Sequence, residues 1–150
     1  LILPFDEKIK NLNEKTIMNN INKIVNKALR NKIEISFETD DFPEYLVNFI
    51  KKKNNKNLGI TYDIGNVYLK NKNISEIFIK HKDIINHVHI KDRNIKGKNV
   101  PLGKGEISFK NFFKTMKESN YNSEVTLETS RGENCIKTAT YHKKFIDKFL

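Results

Sequence analysis

Four side chains in this sequence are of types that hold divalent cations: Glu38, Asp63, His89 and Glu128. Each closes a short run in which apolar and polar residues alternate. In KIEISFET, Ile33, Ile35 and Phe37 alternate with Glu34, Ser36 and Glu38; in LGITYD, Ile60 and Tyr62 alternate with Thr61 and Asp63. In NHVHIKD, Val88 and Ile90 alternate with His87 and His89, and in EVTLET, Val125 and Leu127 alternate with Thr126 and Glu128. Strand side chains change face at every residue, so all four ligand-type residues would project from the side of a sheet opposite its apolar face. Three carboxylates and one imidazole converging there would make a divalent metal site.

The elements that must position them follow from a change of hydrophobic period between the runs, from two to about 3.6, which marks alternating strands and helices. From Asn13 to Arg30, Ile17, Met18, Ile21, Ile24, Val25, Ala28 and Leu29 share a helical stripe. Asp41 is placed to cap a helix starting near Pro43 that turns Tyr45, Leu46, Phe49 and Ile50 inward. A turn at Gly65-Asn66 leads toward a shorter helix around Ile74, Ile77 and Phe78. Residues 92–107, with Gly97, Pro101, Gly103 and Gly105, are expected to form a structured loop. Ser108 should cap a helix bearing Phe109, Phe112, Phe113 and Met116, and a last helix from about Glu133 carries Ile136, Ala139, Phe145, Ile146 and Phe149.

The order is strand then helix, five times. Successive ligand candidates are separated by 25 (38 to 63), 26 (63 to 89) and 39 (89 to 128) residues, the last interval lengthened by the loop. Such spacings leave room for a helix between parallel strands and are too long for hairpins. The expected fold is therefore α/β: about five of the eight strand-helix units of a TIM (β/α)8 barrel, in which functional residues gather at the C-terminal ends of the strands. A full barrel takes about 250 residues, so residues 1–150 are expected to be a single barrel domain lacking its three N-terminal units. The start at Leu1 inside the apolar run LILPF agrees with a fragment.

Composition narrows the partners. A formal net charge of +10 raises nucleic acid, but the excess is lysine scattered among asparagines and isoleucines, with Arg30, Arg93 and Arg131 the only arginines. The basic runs at 51–57 and 142–148 interleave no base-stacking platform. Solvated faces written by an AT-rich genome explain this charge better, and nucleic acid is not an expected partner. On the same grounds His81 and His142 are expected in solvated helical surface. Cys135 is the single cysteine, so no intrachain disulfide forms; it is read as a packing thiol in a reducing, cytoplasmic setting. No run approaches the ~18 apolar residues of a membrane span, and no signal pattern opens the chain.

The segments ISFETD, ITYDIGNVY, INHVHIKDR, VPLGKGEISF and VTLETSRG, in this order, resemble the sugar phosphate isomerase/epimerase branch of the xylose isomerase-like (AP endonuclease 2-type) barrels. The resemblance runs from about Leu1 to Arg131. It implies one divalent metal held by Glu38, Asp63, His89 and Glu128, with Glu38 and Glu128 also acting as acid and base. Endonuclease IV-type members use a histidine where Asn66 stands and an Asp-x-His pair in a loop that here reads RNIKGKNVPLG. A three-metal phosphodiesterase is therefore disfavoured. Free-sugar ketose 3-epimerases tend to carry a histidine at the Asn66 position and an arginine where Ile95 stands, so DIGN is more similar to the sugar phosphate members.

The chemistry implied is proton transfer next to the carbonyl of a sugar or sugar phosphate through an enediolate. It needs a base, an acid and a Lewis acid on the substrate oxygens. Mn or Mg suits the ligand set, with Co or Zn as substitutes. Three carboxylates and a neutral imidazole overcompensate a 2+ ion, which would leave one glutamate able to exchange protons. Isomerisation and epimerisation use the same parts. Asn66 is a candidate for a substrate hydroxyl or for shaping its turn; Lys91, Arg93 and Arg131 are candidates for a phosphate or other anionic oxygen. His87 is expected behind His89 rather than as a fifth ligand. An AP endonuclease-like phosphodiesterase and an inactive barrel fragment stand as alternatives, and the sequence leaves homo-oligomerisation open.

Overall fold

Five strands of the computed structural model, which describes residues 1–6 and 13–149, form one sheet in the order β1 (Ile2–Pro4), β2 (Ile35–Glu38), β3 (Leu58–Asp63), β4 (Ile85–Ile90) and β7 (Glu124–Leu127). All four pairings are parallel and spatial order follows chain order, as in the wall of a barrel. The crossovers carry α1 (Glu14–Arg30), α2 (Glu44–Lys53), α3 (Ile64–Lys70), α4 (Ile74–His81) and α5 (Phe109–Glu118), and α6 (Cys135–Ile146) follows β7. The fold is the expected α/β partial TIM barrel. No helix among the described residues is long and apolar enough to cross a membrane.

Local chemistry explains most of the boundaries. The Asn13 side chain accepts from the Thr16 amide to start α1, and Ile17, Ile21, Val25 and Ala28 bury its inner stripe. Ile24, expected on that stripe, is half exposed because it lies at the stripe's edge. In α2 it is Pro43, not Asp41, that occupies the N-cap; the Asp41 carboxylate instead accepts from Thr39 Oγ1. Ser108 holds the N-cap position of α5 without a capping bond. The expected turn at Gly65-Asn66 is absent: α3 begins at Ile64, directly from β3, with Asp63 as its cap.

The sheet's two faces differ as the alternation requires. Tyr62 points to the helices, stacked on Phe112 at 5.9 Å, edge-on to Phe78 at 5.5 Å, with its hydroxyl donating to the Ile74 carbonyl at 2.6 Å. Its strand neighbours Thr61 and Asp63 therefore face the barrel interior. There Thr61 Oγ1 donates to Ser36 Oγ at 2.6 Å, and His87 Nε2 lies 2.8 Å from Thr126 Oγ1. These groups form a polar layer one step below the strand ends.

Three expectations about the helical surface fail. His81 and His142 are buried rather than solvated. His81 stacks on Phe42 at 4.4 Å, and the Leu102 amide donates to His142 Nδ1 at 3.4 Å. Burial lowers the pKa of both rings. Cys135 is exposed rather than packed, at the start of α6, where Ile136 and Ala139 are also exposed while His142 and Ile146 are buried. The inner stripe of α6 is thus set by residues 142, 145 and 146.

Candidate metal centre

Strand register brings Asp63 opposite His89 and His89 opposite Thr126. Glu38 ends β2, and Glu128 continues β7 by donating its amide to the Ile90 carbonyl at 3.1 Å. One ligand atom from each of Glu38, Asp63, His89 and Glu128 lies within 4.8 Å of all the others. His89 Nδ1 is 2.8 Å from Glu128 Oε2 and 3.9 Å from Glu38 Oε1. Opposite ligands on a Mg-sized ion stand about 4.2 Å apart, so the set needs only a small contraction to hold one. Oxygen-rich donors with one imidazole fit a hard or borderline divalent cation.

Asp63 is fully buried and uses its two oxygens separately: Oδ1 accepts the Asn66 amide at 2.9 Å and caps α3, while Oδ2 faces the cluster. The helix that follows β3 is therefore anchored on a ligand candidate. Burial, then the charge of Asp63, raises the pKa of Glu38; His89 opposes this, Glu128 adds to it and Lys91 opposes it. His87 lies below the set, 3.7 Å from Glu124, and burial followed by repulsion from His89 lowers its pKa.

A family model, the xylose isomerase-like TIM barrel, matches residues 6–147. The chain belongs to this family. MJ1311, an uncharacterized protein of Methanocaldococcus jannaschii, is 30% identical over 109 residues, covering 70% of this chain and 37% of that protein. A D-tagatose 3-epimerase-like protein superposes with a TM-score of 0.73 at 26% identity over 99% of this chain and 62% of its own. The 3-keto-D-glucoside 4-epimerase of E. coli gives 0.76 at 16% identity over 98% and 63%. The chain thus spans less than two thirds of each of these relatives.

Within this family frame, Lys91 is the residue whose placement differs most from a loop cation awaiting phosphate. It is buried, and its Nζ is 2.7 Å from both Asp63 Oδ2 and Glu128 Oε1. Burial works against its charge, but the bonds to Asp63 and Glu128 outweigh it and raise the pKa. The charge balance changes accordingly. Three ionised carboxylates and one ammonium sum to −2, the charge that a divalent ion would balance. Period-two alternation was the available signal, since 87, 89 and 91 share a face.

Gly65 makes the Lys91 position reachable, because a Cβ there would lie 2.9 Å from Lys91 Cβ and Cγ. Gly65→Ala should push the lysine stem aside and lower stability by about 1–3 kcal/mol through overpacking. A fall in thermal midpoint of several degrees is expected; an unchanged midpoint would show that the stem has room.

Arg93 is also engaged, donating from Nη2 to Asn66 Oδ1 at 2.6 Å and from Nη1 to the Gly97 carbonyl at 3.2 Å. Asn66 in turn donates from Nδ2 to Glu38 Oε1 at 3.2 Å. The chain Arg93, Asn66, Glu38 fixes one carboxylate from the loop side. Arg131 is exposed beyond Glu128 and stands outside this network.

Asp92 was not singled out by sequence, yet it organises the long loop. It is fully buried; Oδ2 accepts the Gly103 and Gly105 amides at 2.9 Å each, and Oδ1 accepts those of Arg93 at 2.9 Å and Ile107 at 3.4 Å. A Cβ at Gly105 would collide with this carboxylate, so the close approach requires glycine there. The loop also contains a short antiparallel pair, β5 (Asp92–Arg93) with β6 (Asn99–Val100).

Proposed function

We propose that the protein is a metal-dependent isomerase or epimerase that moves a proton next to the carbonyl of a sugar or sugar phosphate, with Glu38 and Glu128 as the acid/base pair. The observation that supports this most is the unequal exposure of the four ligands. Asp63 is sealed and His89 is nearly so, whereas the Glu38 and Glu128 side chains are 21% and 47% exposed. The two buried groups are suited to holding the ion and the two glutamates to meeting substrate. A cavity of about 480 Å3, lined in part by Phe5, Glu38, Thr39 and Asn66, opens beside Glu38 and is of the size that takes a sugar.

Mn or Mg bound at Glu38, Asp63, His89 and Glu128 would supply Lewis acidity toward the substrate oxygens. Glu38, held by Asn66, and Glu128, beside Lys91, would exchange the proton from two sides. Asn66 has one amide oriented by Arg93 and would meet a substrate hydroxyl as Glu38 releases it. In this reading the five units belong to an eight-unit barrel working in a reducing, cytoplasmic setting, and the remaining strands complete the sugar pocket. Incubation of the Mn-loaded protein with ketoses and ketose phosphates in D2O should place deuterium next to the carbonyl. Absence of exchange with all of them, or exchange that survives chelation, would overturn the proposal.

A further inference from the structure

The Lys91 ammonium stands among the ligand candidates rather than at their rim. Its Nζ is 2.7 Å from Asp63 Oδ2 and 2.7 Å from Glu128 Oε1. The other oxygen of Asp63 is committed to the Asn66 amide, and that of Glu128 lies 2.8 Å from His89 Nδ1. An ion held through Asp63 Oδ2 therefore meets the ammonium across a single oxygen atom. Charges that close, in a place largely shielded from water, interact strongly.

This charge is also fixed in place. Lys91 is buried, and its stem runs so close to α3 that a Cβ on Gly65 would lie 2.9 Å from its Cβ and Cγ. A lysine on a free surface stem would swing into water as an ion arrived; this one is packed, and its partner Asp63 is sealed with it. Arg93 reaches Glu38 only through Asn66, so its charge lies one side chain further out.

Coulomb repulsion between two cations grows with the charge of each. The ammonium thus opposes a trivalent ion half as much again as a divalent one, whatever the distance. Without it, Glu38, Asp63 and Glu128 would present three negative charges, the balance for a hard trivalent ion such as ferric iron. We propose that Lys91 selects the charge of the bound ion, making the centre take a divalent cation in preference to a trivalent one of similar size. The inference rests on the metal centre and not on the proton transfer proposed above.

Calorimetric titration of chelator-treated protein with MnCl2 and with LuCl3 tests this without turnover. Lu3+ is close to Mn2+ in size and differs mainly in charge, so comparing the ratio of the two affinities between variants cancels any preference of the site for size. Lys91→Met keeps the length of the stem and leaves three carboxylates, a charge of −3; the Lu3+ to Mn2+ ratio should rise roughly tenfold or more. Glu128→Gln leaves two carboxylates and the ammonium, −1; the ratio should fall by about threefold or more. Lys91→Met/Glu128→Gln leaves two carboxylates, −2, and should return the ratio to within about threefold of wild type. A lysine that only holds Asp63 and Glu128 in position predicts something else: both ions weakened together in Lys91→Met, an unmoved ratio, and losses that accumulate in the double variant. That pattern, or a wild type that binds no Mn2+, would overturn the proposal. Should Lys91→Met fail to fold by circular dichroism, the step from Glu128→Gln to the double variant reads the lysine directly, and a ratio that does not rise across it overturns the proposal equally. Ratios that follow the charge in a protein that exchanges no substrate proton would leave ion selection standing and remove the reaction.

Discussion

Glu128→Gln should reduce solvent-proton exchange at the substrate carbon by about 10²- to 10⁴-fold, the usual contribution of one positioned acid or base. The side chain keeps its size and one ligating oxygen, so metal affinity should be weakened rather than lost. Glu128 is the most exposed of the four ligand candidates and lies 2.8 Å from His89 Nδ1 and 2.7 Å from the Lys91 ammonium. Removing its charge leaves Asp63 as the remaining carboxylate on that lysine. Exchange at the wild-type rate in Glu128→Gln, with metal bound, would show that the proton moves elsewhere.

The second large effect is structural. Asp63→Ala removes a fully buried carboxylate that caps α3 through Oδ1 and pairs with buried Lys91 through Oδ2. Breaking a buried pair by deleting one partner costs about 3–5 kcal/mol, and losing a cap adds about 1 kcal/mol. Against a typical total stability of about 5–15 kcal/mol, this should lower the thermal midpoint by roughly 10–20 °C. Asp63→Asn retains an acceptor for the Asn66 amide and should recover the cap contribution only. An Asp63→Ala midpoint within about 2 °C of wild type, by circular dichroism, would mean that the Lys91 pair contributes nothing net.

The four ligand candidates were legible because a period-two pattern fixes the face of every strand residue, and a parallel sheet turns one face of several strands toward the same axis. The same rule reaches Lys91, which lies in phase with His87 and His89; its KDR context drew attention to the loop instead. Burial of His142 was also encoded, since 142, 145 and 146 share one helical face, as do 74, 78 and 81 for His81. In both cases the neighbouring lysines suggested a solvated face, but a neutral imidazole packs at little cost when, as for His142, a backbone amide bonds it. Two features depended on tertiary structure. Asp63 caps α3 because the chain enters the helix with no intervening turn, and Asp92 gathers amides from residues eleven to fifteen positions away, which no local pattern announces.

Charge balance carries the central claim. With Lys91 inside the set, three carboxylates and one ammonium lie around an imidazole, a charge that one divalent ion would balance, and Asn66 is held against Glu38. The most direct test is to count metal ions by elemental analysis in protein dialysed after loading with Mn, in wild type and in Asp63→Asn. One ion per chain in the wild type and well under one in the variant is the predicted result. Three ions per chain, or none, would contradict a mononuclear centre.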